Sequence, residues 1–174
     1  VPIYFEWNHH YMRPLIETLS RSAPKLKDFK LIFKEGNGSP LQLTHEPMLN
    51  GWGMEKLAHL QNLTLHLTRG AFVTFSTENK GIFDLSALKR FRRLKSLDLG
   101  VVDANIQHLP NHKKFTFSHP KGRLFPNLRR FKWNLLESRW NEIEGLQVLG
   151  CELALSFRNP VEDFSLKRTF FGNI

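Results

Sequence analysis

The sequence predicts an α/β solenoid of about five units. One short strand from each unit joins a parallel β-sheet on the concave face, and helices line the convex face. Two observations predict this architecture. A pattern of three apolar anchors recurs at a constant step of 34 residues, with first anchors at 26, 60, 94 and 128. Inside each unit the apolar spacing changes from three and four residues, a helical period, to two, the period of a strand.

The elements follow in order. Leu15, Ile16 and Leu19 predict a helix over 11–22, and Pro24 lies where that helix has ended. Leu26, Phe29 and Leu31 then give the first anchors and a strand over 28–33. Met54 and Leu57 precede Leu60, Leu63 and Leu65, with a strand over 62–67. Leu85, Leu88 and Phe91 precede Leu94, Leu97 and Leu99, with a strand over 96–101. Pro126 leads into Leu128, Phe131 and Trp133, with a strand over 130–135. Val161, Phe164 and Leu166 form a fifth copy, one residue short of the step. At 41% apolar residues, any three given positions are all apolar by chance about 7% of the time, so four copies in register are not accidental.

A step of 34 is also the tetratricopeptide period, which requires two helices per unit. Residues 63–77 are rich in Thr, Val and Phe and broken by Gly70, so they read as two short strands and exclude that architecture. Residues 35–40 and 45–53 read as loops, as do 110–114 and 118–123 with the short apolar piece between them.

Leu60/Leu63/Leu65 and Leu94/Leu97/Leu99 spell Leu-x-x-Leu-x-Leu, and over about 14–167 the chain resembles the leucine-rich repeat family. It departs from the family in its longer period and in lacking the Asn or Cys expected after each core. The Phe-substituted cores and the Phe125-Pro126-Asn127-Leu128 phrase resemble the intracellular F-box type. That resemblance implies a protein-recognition module, namely the substrate-recognition part of a ubiquitin-ligase receptor whose adaptor binds outside this stretch. No cofactor is expected.

Residues 1–174 read as one such domain, and the absent initiator Met reads as a fragment of a longer chain. No apolar run approaches the ~20 residues of a membrane span. A single cysteine, Cys151, allows no internal disulfide and predicts an intracellular location, cytoplasmic or nuclear. Its apolar setting, between Leu149 and Leu153, reads as an inert buried thiol.

The chemistry-bearing residues point to binding rather than catalysis. Eight histidines include His108 and His112 at helical spacing, but Pro110 breaks that helix and no zinc-type spacing accompanies them, so no metal is expected. Nucleophile elbows and phosphate-cradling glycine loops are missing, and no enzyme is expected. Lys+Arg number 25 against 16 Asp+Glu, a net charge of +9. Much of the excess lies in two clusters, 89–95 and 113–132. The plain reading is a solvated flank; the alternative function is nucleic-acid or polyanion binding.

The residues between anchors should point outward from the sheet and stack into columns: Asp28/Asn62/Ser96/Arg130/Asp163, Lys30/Thr64/Asp98/Lys132/Ser165 and Ile32/His66/Gly100/Asn134/Lys167. From these the expected contacts for a protein partner are Lys30, His66, Asp98, Arg130, Lys132 and Asn134, with an Asp98–Lys132 ion pair as the competing use of those two.

Overall fold

The computed structural model describes residues 9–32, 48–68, 73–75, 81–102, 115–117, 125–136, 151, 154 and 161–169. Five strands, β1 (Asp28–Ile32), β2 (Asn62–Thr68), β5 (Ser96–Val102), β7 (Arg130–Leu136) and β8 (Asp163–Thr169), form one sheet in the order β1-β2-β5-β7-β8. Every neighbouring pair is parallel. A second, three-stranded sheet is built by β3 (Val73–Phe75), β4 (Gly81–Phe83) and β6 (Phe115–Phe117). There β3 and β4 are antiparallel, and β4 and β6 parallel. The apolar piece at 115–117, expected within a loop, is thus a strand; its partner is remote in sequence, which a local pattern cannot show.

The constant step becomes a constant register. Phe29, Leu63, Leu97, Phe131 and Phe164 are successive Cα partners across the sheet, and Leu31, Leu65, Leu99, Trp133 and Leu166 form the next row. Backbone hydrogen bonds repeat at the same interval. Before each of the first four strands a turn closes through the first anchor: Leu26 N–H donates to Ala23 O (3.0 Å), Leu60 to Leu57 (3.1 Å), Leu94 to Phe91 (3.3 Å) and Leu128 to Phe125 (3.1 Å). One residue later a single carbonyl accepts two amides from the next unit. Lys27 O takes the N–H of Gln61 and Asn62, Gln61 O those of Lys95 and Ser96, Lys95 O those of Arg129 and Arg130, and Arg129 O those of Glu162 and Asp163. These bifurcated bonds set the strand offset before the sheet ladder begins. A one-residue slip would break them and turn every anchor to the wrong face.

Helix α1 (His9–Ser22) lays Met12, Leu15, Ile16 and Leu19 against the core, a spacing that mixes threes and fours as an α-helix requires. Lys56 donates to Glu17 Oε1 at 2.8 Å and ties α1 to the next unit; that hydrogen bond holds the exposed Glu17 carboxyl below its usual range. The second and third units depart from the expected helices. Each carries one 3₁₀ turn, Met54–Leu57 and Ser86–Leu88. Their apolar residues, 54/57/60/63 and 85/88/91/94, recur strictly every three, which is the 3₁₀ period, and all are buried. Room is short as well. Gly53, at φ 72°, adopts the left-handed conformation that favours glycine just before Met54, while the Leu57–Leu60 turn closes just after it. Asp84 Oδ1 fixes the start of the third turn by accepting the Ser86 N–H at 2.8 Å. Within 45–53, expected as a loop, Met48–Gly51 forms one turn of helix (α2), and Leu49 and Trp52 are buried.

The core lies under one face of the main sheet. The central anchors Leu63, Leu65, Leu97, Leu99, Phe131 and Trp133 are almost completely buried. Phe29 and Leu31 on β1 are only partly so, whereas Phe164 and Leu166 on β8 remain 39% exposed. Phe131 and Phe164 stack with ring centroids 5.6 Å apart, the aromatic cross-strand pair that joins β8 to β7. Cys151, expected to be buried, is exposed. Ala154 is the described residue of that stretch that turns into the core, so apolar neighbours in sequence did not put the thiol on the inner side.

Candidate functional site

Alternation along the strands places the three predicted columns on the face opposite the core, and their register is the predicted one throughout. Asp28, Asn62, Ser96, Arg130 and Asp163 are successive partners, as are Lys30, Thr64, Asp98, Lys132 and Ser165, and Ile32, His66, Gly100, Asn134 and Lys167. At one side of this open face Asn62 Nδ2 donates to Asp28 Oδ1.

Three side chains from three adjacent strands converge at the centre. His66 on β2 and Asn134 on β7 are partners of the same residue, Gly100 on β5. Both reach diagonally back to Asp98, two residues earlier on β5. His66 Nε2 lies 2.8 Å from Asp98 Oδ1, and Asn134 Nδ2 donates to the same oxygen at 2.5 Å. The acceptor carboxylate assigns the ring proton to Nε2. Asn134 Nδ2 also approaches His66 Nε2 at 3.5 Å. Gly100 makes the arrangement possible: a Cβ there would stand 2.6 Å from His66 Cδ2 and 2.7 Å from Cγ.

This network is not solvated filler. The His66 and Asp98 side chains are only 15% and 24% exposed, and Asn134 is 6% exposed. Largely covered polar groups that satisfy one another hold a single geometry. Asp98→Ala is therefore expected to destabilise the fold by about 1–3 kcal/mol, since it removes the acceptor shared by two donors. Asp98→Asn, which keeps an acceptor oxygen, is expected to cost less. The check is a shift in the urea midpoint at unchanged m-value.

Of the six residues expected to bind a partner, the structure joins His66, Asp98 and Asn134. Lys30, Arg130 and Lys132 stand exposed around them. The expected Asp98–Lys132 ion pair is not among the described ion pairs: side by side in register, Asp98 turns away to His66 and Asn134. Gly100, a column member not expected to contribute, is needed for the site. A glycine inside a predicted strand is the available signal, because it marks close approach by another group.

Of the two basic clusters, Lys89, Arg90, Arg92, Arg93 and Lys95 are all exposed, as are Arg129, Arg130 and Lys132. Lys113, Lys114, Lys121 and Arg123 lie outside the described residues. Among the described residues no group of three His, Cys, Asp or Glu side chains could hold a metal ion, and no helix is long and apolar enough to cross a membrane.

No protein-family model, no curated protein and no solved structure matches the chain.

Proposed function

We propose that the chain is a protein-recognition module of the leucine-rich-repeat type, in which the open face of the five-stranded sheet forms the concave docking surface. The observation that carries this reading is the His66–Asp98–Asn134 network, a partly covered polar centre shared by three strands. A partner meeting it encounters groups already held in place, so little side-chain entropy is lost on association. Arg130, exposed on the neighbouring column, supplies the residue type most enriched among interface hot spots, with Lys30 and Lys132 at the rim. The F-box resemblance gives the partner its class, a protein substrate presented to a ubiquitin ligase.

The test compares capture of one identified partner by the wild type and by variants. Arg130→Ala is expected to weaken capture about tenfold or more while moving Tm by no more than about a degree or two, since exposed substitutions cost under ~0.5 kcal/mol. His66→Ala is expected to weaken capture and also to lower Tm, because its ring is part of the network. If capture survives both changes and is lost when exposed residues near the 3₁₀ turn at 86–88 are altered, the docking face is elsewhere.

A further inference from the structure

A second surface lies where the chain enters the main sheet. A groove of about 440 Å³ opens between the lead-ins to β5 and β7, floored by Leu128 and lined by Gln61, Arg93, Lys95, Asn127, Arg129 and Glu162. The repeat builds it. Gln61, Lys95, Arg129 and Glu162 are successive members of the row whose backbones exchange the bifurcated bonds, and Arg93 and Asn127 lie 34 residues apart in the preceding turns. Adjacent strands in such a row are about 4.8 Å apart, so Lys95 and Arg129 are held as neighbours. Asn127 Nδ2 donates to Arg92 O at 2.6 Å and fixes one turn against the next, while an Arg93 guanidinium nitrogen sits 3.0 Å from His59 Nδ1. The wall is thus braced.

We propose that this groove binds a phosphate monoester through Arg93, Lys95 and Arg129. Three cations share the groove with one acid, Glu162, which lies 3.8 Å from Arg129 with both side chains about two-thirds exposed, a weak pair. A phosphate monoester brings about −1.5 to −2 charges and three acceptor oxygens, enough to engage two guanidinium forks and an ammonium together. A single carboxylate would leave the cations under-compensated. A nucleic-acid track needs an unbroken basic row, but neutral Gln61 separates Lys95 from Lys27 on one side and acidic Glu162 follows Arg129 on the other. The site therefore suits one phosphate group, either on a phosphorylated protein segment or on a small organic phosphate. It does not depend on the open-face reading, and none of its ligands is shared with that face.

The test is titration calorimetry of the full chain with five probes: a short Gly/Ala peptide bearing one phosphoserine, the same peptide with serine, O-phosphoserine, inorganic phosphate and a short single-stranded oligonucleotide. The phosphopeptide is expected to bind at least about tenfold tighter than the serine peptide, and more weakly as salt rises from about 50 to about 200 mM. R93Q and R129Q are each expected to weaken it about ten- to hundredfold, and K95Q by less, with Tm preserved because all three positions are exposed. R93K, which keeps the charge but loses the fork, should also weaken binding, whereas K30Q and K132Q on the open face should not. A phosphopeptide that binds better than free phosphate identifies a protein ligand; equal binding identifies a small phosphate, and both support the site. Four results would overturn it: no phosphate binding, equal affinity for the serine peptide, equal loss in K30Q and K132Q, or tighter binding of a single-stranded oligonucleotide.

Discussion

Leu97→Asp is expected to leave the chain unfolded at room temperature. Leu97 is completely buried in the middle strand of five, with Leu63 and Phe131 as its partners on either side. Losing a packed leucine costs about 2–5 kcal/mol, and an unpaired carboxylate in its place adds several more. A domain of this size has only about 5–15 kcal/mol to lose. Leu63→Asp should behave alike. Phe164 occupies the same anchor position on β8 but is 39% exposed, so Phe164→Asp should lose chiefly its stacking on Phe131 and remain folded with a lowered Tm. Circular dichroism melts of the three variants check the gradient. A wild-type melt for Leu97→Asp would show that the anchor rows are misplaced.

That gradient follows from a pattern readable in the bare sequence. A strand announces itself when apolar and polar residues alternate, and a repeat announces register when the step is constant. Both conditions hold at 29/31, 63/65, 97/99 and 131/133, so strands and columns could be located residue by residue. The second and third units form 3₁₀ turns where the sequence predicts helices, because an apolar spacing of three alone is the 3₁₀ period and only a mixture of three and four is the α-helical one. Met54/Leu57/Leu60 and Leu85/Leu88/Phe91 recur strictly by three, and only the α1 residues mix the two. Phe115–Phe117 and Met48–Gly51 were missed because segments of three or four residues are too short to show a period. In the site, alternation and the constant step place His66, Asp98 and Asn134 on one face but do not tell which of them touch. The diagonal reach of a side chain depends on what stands beneath it, and here that is a missing Cβ.

Gly100 carries the other large expected effect. Adding one methyl group at Gly100 should dismantle the polar centre while leaving the sheet intact. The new Cβ would lie 2.6–3.1 Å from Cδ2, Cγ and Cβ of His66, that is, from the root of the side chain, so no small adjustment of the ring tip relieves the overlap. The ring must rotate about χ1, which carries Nε2 away from Asp98 and leaves Asn134 as the carboxylate's remaining partner in the network. Gly100→Ala is therefore expected to destabilise by about 1–3 kcal/mol, although alanine in place of an interior glycine would otherwise gain about 0.5–1 kcal/mol of backbone entropy. The sign should reverse when the ring is absent. In a His66→Ala background the methyl group has room, and Gly100→Ala should become neutral or stabilising, so the two substitutions couple by more than about 1 kcal/mol in a double-mutant cycle. Urea denaturation of the four proteins measures that coupling. Additive costs within about 0.3–0.5 kcal/mol would mean that His66 does not lie over Gly100, and the three-strand network would lose its geometric basis.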